Sequence, residues 1–136
     1  MKQILIAAAL AMAAAGAAEA GPHDEVMAAL TAGAKAADAG FKGFSAENGK
    51  ALYTAAHQGG KPDTPSCTTC HTKSPLKSGQ TRAGKAIDPM AVSANPQRFT
   101  DLEKVNKWFG RNCNSVLGRD CTAQEKGDFA TWLIAQ

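Results

Sequence analysis

Cys67-Thr68-Thr69-Cys70-His71 constrains this chain more than any other stretch. It matches C-x-x-C-H, in which two thiols attach covalently to the vinyl groups of one haem c and the adjacent imidazole reaches the iron. Two intervening residues let both sulfurs reach one edge of the macrocycle while the histidine sits beneath the metal. The flanking sequence agrees. Residues 58–98 hold five of the six prolines among many Gly, Ser and Thr, which predicts a long, mostly irregular segment with short helical turns around residues 67–73. A loop of that length needs something to wrap around, and a prosthetic group supplies it. Other readings of the motif are weaker. A thioredoxin-like redox pair would open a helix after a strand in a βαβ pattern, and no such pattern is present. A structural zinc site would have to add two ligands from Cys113, Cys121, His71 or His57 to Cys67 and Cys70. Two ordinary disulfides would leave His71 without a role.

The chain has 136 residues, 44% of them hydrophobic, which allows one compact domain but not two. Ten alanines fall in the first twenty residues, so the apolar fraction overstates the core available to the rest. A haem would complete that core. The net charge of +3 and the lack of any block of like charges argue against a nucleic-acid partner, which would demand many neutralised phosphates. Lys2, the apolar run from Ile4 to Ala18, and the small-x-small ending Ala18-Glu19-Ala20 predict an export signal over residues 1–20, cleaved after Ala20. The run is shorter than the roughly 20 apolar residues that span a bilayer, and no later stretch reaches that length. Residues 21–136 are therefore expected to form a monohaem domain exported to the periplasm without a membrane anchor.

That domain reads as all-α. Residues 23–39 place Val26, Ala29, Leu30 and Ala37 at helical spacing and predict a weakly amphipathic N-terminal helix. A glycine-bounded link with Phe41 and Phe44 leads to Ser45, an N-cap residue. The following helix is predicted to run to about His57, with Leu52 and Tyr53 on its inner face, until Gly59-Gly60 stops it. Thr100-Asp101-Leu102-Glu103 and Thr122-Ala123-Gln124-Glu125 have capping-box spacing and open helices to about Arg111 and about Ala135. In the last helix Phe129, Trp132 and Leu133 lie at i, i+3 and i+4, which predicts packing against the Tyr53 helix. No segment sustains period-2 alternation, so no sheet is expected.

Cys113 and Cys121 are left over, eight positions apart in an oxidising compartment, and a disulfide between them is expected, with two free thiols as the alternative. The ligand opposite His71 decides whether the iron only passes electrons or also takes a small molecule. Met90, His57, His23 and Asn112 are the candidates. Met90 lies downstream of the motif, in the loop where an electron-transfer cytochrome c carries its thioether, or it is a flexible gap-filler beside the porphyrin. His57 and His23 read better as solvent-facing side chains. At about 100° per residue, Asn112 falls within the roughly 120° apolar arc of Leu102, Val105, Trp108 and Phe109. An amide there is either a C-cap or bound to something buried, iron included.

Gly49-Lys50-Ala51-Leu52-Tyr53, the haem motif and the terminal aromatic helix resemble a class I cytochrome c. Gly59-Gly60-Lys61-Pro62-Asp63-Thr64-Pro65-Ser66 running into the motif, and the run from Gly110-Arg111-Asn112-Cys113 to Arg119-Asp120-Cys121, resemble the sphaeroides haem protein family of high-spin, oxygen-binding cytochromes c. The resemblance covers residues 45–136. It implies a class I cytochrome c-like helical fold around one covalent haem, here with an extra N-terminal helix. It also implies a Cys113–Cys121 disulfide and Asn112 as a side-chain ligand of ferric iron that leaves on reduction. Coordination chemistry agrees, because an amide oxygen is a hard, weak donor, tolerable for Fe(III) and poorly matched to Fe(II).

The reading is electron transfer coupled to reversible binding of O2, NO or CO once Asn112 has left, with slow reduction of the bound ligand as its only enzymatic side. The alternative is a conventional low-spin electron shuttle with Met90 as sixth ligand. A reductase or peroxidase as the main activity lacks a second His or acid placed as distal proton donor. The resemblance implies a dihaem cytochrome c as redox partner, together with a membrane cytochrome b. Lys61, Lys73, Lys77, Arg82 and Lys85 face only Asp63 in that stretch, which reads as a solvated loop or as a surface steering an acidic partner, with Arg82 also a candidate to neutralise a haem propionate.

Overall fold

The computed structural model describes residues 21–136; the export signal read over residues 1–20 lies outside the described residues. The chain runs α1 (Pro22–Ala37), α2 (Ala46–Thr54), α3 (Thr68–His71), β1 (Gly79–Gln80), β2 (Ala86–Ile87), α4 (Leu102–Leu117) and α5 (Ala123–Ile134). Among the described residues no helix is long and apolar enough to cross a membrane.

The core forms where α2 crosses α5. Ser45 caps α2 by accepting from Asn48 N (3.2 Å), and its own N–H donates to the buried Asp128 carboxylate on α5 (2.7 Å). Gln124 donates to the same carboxylate (2.7 Å), so one acid ties the start of α2 to α5. Gly49 lets the two backbones touch, because a Cβ there would lie 2.1 Å from Asp128 O. Tyr53 fills the crossing at 0% exposure, its ring 5.0 Å from Trp132 and 6.0 Å from Phe129. Phe129 meets Phe109 of α4 edge-on at 5.5 Å, which carries the core toward the motif. The packing of Phe129, Trp132 and Leu133 against the Tyr53 helix is as expected. Buried Val26, Leu30 and Ala34 turn one stripe of α1 inward, and α1 packs against α5.

Four local expectations are corrected. The Tyr53 helix stops at Thr54 instead of His57, because His57 N–H donates to Pro65 O (2.7 Å) and its ring pairs with Leu52 O (2.9 Å), folding the chain back toward the motif. A short ladder exists after all, Gly79 opposite Ile87 and Gln80 opposite Ala86, too brief to leave an alternation in the sequence. The N-cap of α4 is Asp101, which accepts from Lys104 N (3.0 Å), while the Thr100 hydroxyl donates to Gln97 O (2.9 Å). Finally, α4 continues six residues past Arg111 and ends at Gly118, whose φ of +70° suits glycine. The Thr122 capping box of α5 forms as read, with Glu125 also bidentate to Arg119 at 2.7 and 2.8 Å.

Candidate haem site

The motif is held from behind. Ser66 Oγ accepts from Thr68 N (3.2 Å), and α3 forms a single turn in which His71 N donates to Cys67 O (3.0 Å). The buried Tyr53 hydroxyl reaches the carbonyls of both His71 (2.9 Å) and Thr72 (2.7 Å). Thr72 sits at φ 64°, ψ 170°, a conformation costly for a β-branched residue, which Tyr53 and the Thr72 hydroxyl bond to Ser74 O (2.9 Å) hold in place. The loop ahead of the motif is fastened to α4, with Lys61 N (2.8 Å) and the buried Thr64 hydroxyl (3.1 Å) both donating to Ser115 O.

Cys67, Cys70 and His71 line one cavity of about 240 Å3, whose other walls include Met90, Phe99, Val105, Trp108, Phe109 and Asn112. Burial pushes the Cys67 thiol up to about 11, the opposite of an activated redox cysteine, and neither motif cysteine is disulfide-bonded. Burial, with Arg98 second, brings His71 down to about 4, so its imidazole is neutral at pH 7, and its Nδ1 is buried without a hydrogen-bond partner. Cys113 and Cys121 are bonded to each other, closing the end of α4 onto the start of α5, and so cannot join a zinc site. Two thiols, a neutral imidazole and a largely apolar enclosure form a donor set that fits a covalent haem.

Of the four distal candidates, Met90 and Asn112 line the cavity, whereas His57 and His23 do not and instead pair with Leu52 O and Arg98 O, each at 2.9 Å. Asn112 is no C-cap, because α4 runs five residues beyond it. The next asparagine on the helix, Asn114, directs its amide to Gly110 O (2.8 Å) and Asp120 (2.7 Å), while Asn112 faces the cavity. Met90 is buried in the hydrophobic cluster, its N–H on Pro75 O (2.9 Å). Trp108 lines the cavity yet is 50% exposed, with Arg111 5.6 Å above its ring. Arg82 is away from the cavity and paired with Asp63 at 2.5 Å. Arg98, which no sequence pattern singled out, lines the cavity from an irregular segment without periodicity.

A family model described as a domain of unknown function, DUF1924, matches residues 39–133. The chain is 62% identical over 91 residues to the cytochrome c-type protein SHP of Cereibacter sphaeroides, spanning 67% of this chain and 70% of that protein. This chain belongs to the SHP family of c-type cytochromes. The structure of oxidised SHP, described as an oxygen-binding cytochrome c, matches with a TM-score of 0.73 at 58% identity, over 81% of this chain and 96% of that one. The solution structure of cytochrome c″ from Methylophilus methylotrophus, described in terms of haem-ligand detachment, matches with a TM-score of 0.67 at 30% identity, over 84% and 93% of the two chains. The SHP-family match confirms the cytochrome c-like helical fold and haem c as the cofactor.

Proposed function

We propose that this protein is a periplasmic, high-spin c-type cytochrome that couples electron transfer to reversible binding of a diatomic ligand, O2, NO or CO. Cys67 and Cys70 would hold the haem covalently, His71 would be the permanent axial ligand, and Asn112 the ferric ligand that leaves on reduction. When bound, the haem supplies a one-electron couple and an iron able to take a small ligand. The observation that carries this reading is Asn112 within α4, lining the same cavity as His71 instead of capping the helix. Oxygen binding by SHP and ligand detachment in cytochrome c″ support it. Met90 lines that cavity too, and this favours a second reading, a low-spin shuttle with a thioether ligand.

Two measurements test the proposal. Haem should stay with the protein through acid–acetone extraction, and the reduced spectrum should be high-spin and shift on adding CO. Haem leaving with the solvent overturns the covalent assignment; a low-spin ferrous spectrum indifferent to CO overturns the gas-binding one.

The partner we propose is an acidic redox protein, of the dihaem cytochrome c type and linked to a membrane cytochrome b. Lys61, Lys73, Lys77 and Lys85 are exposed around the motif. Electron transfer from such a donor should slow several-fold between about 0.01 and 0.15 M salt as screening tightens. Stopped-flow reduction checks this, and a flat salt profile assigns the lysines to solvation alone.

A further inference from the structure

Among the described residues, Arg98 is the one charged side chain on the cavity wall without an ion-pair partner. Its Nε donates to Pro89 O (2.9 Å) and Nη2 to Asp88 O (2.7 Å), both neutral carbonyls. Among the described residues no carboxylate lies within 4 Å of it, the ion pairs being Arg82 with Asp63, Lys104 with Asp101 and Arg119 with Glu125. The side chain is half-buried, and burial holds the guanidinium below its ordinary range. A cation drawn out of water without a counter-ion is costly, and two neutral acceptors do not offset that cost. The residue is nonetheless fixed: the two carbonyls clamp the guanidinium, while its main chain is held by His23 of α1 on Arg98 O (2.9 Å) and by Arg98 N donating to Asn95 O (3.0 Å).

Haem c carries two carboxylates, its propionates, on the edge opposite the thioether links. We infer that Arg98 is the built-in counter-charge of one haem propionate, an assignment that rests on the covalent haem proposed above. The surroundings leave Arg98 free for that role. Asp101, also on the cavity wall, is committed to Lys104 through its N–H (3.0 Å) and ammonium (3.4 Å). Asp88 attracts Arg98 from beyond ion-pair distance, and the neutral His71 and the carbonyl-bound His23 bring no negative charge. A guanidinium fork matches a carboxylate bidentately, and Arg98 has N–H donors to spare after Pro89 and Asp88.

The consequence is electrostatic. A propionate beside Arg98 stays ionised at pH values where the other accepts a proton, and the cation favours the ferrous state by opposing the positive charge of ferric iron. The test is an infrared titration of holoprotein carrying haem labelled with 13C at both propionate carboxyls, after acid–acetone extraction has shown the haem retained. One carboxylate is expected to remain ionised well below the ordinary carboxylate range, near pH 4. In Arg98→Gln it should titrate at higher pH, and the midpoint potential should fall and become pH-dependent across that range. Arg98→Lys should keep most of both properties, and Arg82→Gln should change neither. Two propionates titrating together in the ordinary range in the unsubstituted protein overturn the inference without recourse to any variant, as does an Arg98→Gln protein with unchanged titration and potential. Haem lost on extraction would instead overturn the covalent-haem reading.

Discussion

Ferric protein carrying Asn112→Ala is expected to take up azide roughly tenfold more tightly than the parent, or better. If the amide occupies the iron in about nine molecules out of ten, only the remaining tenth is competent to bind, and removing the amide restores the full intrinsic affinity. Ferrous protein of the same variant should bind CO as the parent does, because in the proposed reading reduction already releases the hard oxygen donor from the softer iron. Met90→Leu changes neither result, since a buried thioether is replaced by a side chain of similar volume at a cost under about 1.5 kcal/mol. The low-spin alternative predicts the reverse: Met90→Leu creates CO binding in the reduced state, and Asn112→Ala leaves ferric azide affinity where it was. Optical titration of both variants in both oxidation states decides between them.

Gly49→Ala is expected to cost the fold about 3 kcal/mol or more. A methyl group there would come within 2.1 Å of Asp128 O and 2.5 Å of its carbonyl carbon, and these are backbone atoms of a helix that cannot swing aside as a side chain would. Moving α5 outward would loosen Tyr53 from Trp132 and Phe129, and with them the hydroxyl that holds the carbonyls of His71 and Thr72. The damage should therefore reach the site. A guanidinium unfolding curve on the holoprotein should show a lower midpoint, with a softened visible spectrum before global unfolding. Gly33→Ala, on the outside of α1 with open space around it, is the control and should be neutral or slightly stabilising. Equal midpoints for Gly49→Ala and parent would refute the close crossing of α2 and α5.

The parts of this protein legible along the chain are those whose physics is local. C-x-x-C-H is one turn of chain, so its spacing already states that two thiols and an imidazole share one small region, and all three lie on one cavity wall. Ser45 and Thr122 cap the helices they were read to open because a cap is settled within four residues. Phe129 and Trp132 of α5 face Tyr53 because helical periodicity fixes which side chains share a face. The apolar arc of α4 pointed to Asn112 by the same rule, but not to its surroundings. Only the observed length of α4 removed the C-cap explanation and left the amide on the cavity.

What the chain could not state by itself depends on segments far apart in sequence. The early end of α2 is decided by the main-chain bond from His57 to Pro65 O, and only the folded chain shows Arg82 paired with Asp63 away from the cavity while Arg98 lines it. Both are basic residues in the same long loop, and nothing in their neighbours distinguishes them. Asp63 lies nineteen positions before Arg82, and the cavity wall that receives Arg98 is assembled from α4 and the motif. By itself, then, the sequence determined the haem-binding motif, the helical class and the inward faces of α2 and α5, since hydrogen-bond spacing and side-chain periodicity act over a few residues, whereas Leu102 and Trp108 of the arc read on α4 are exposed. Tertiary structure decided which polar groups reach the cavity and which are answered elsewhere, because a buried charge or amide takes its partner from whatever folding brings within about 3 Å, at any distance along the chain.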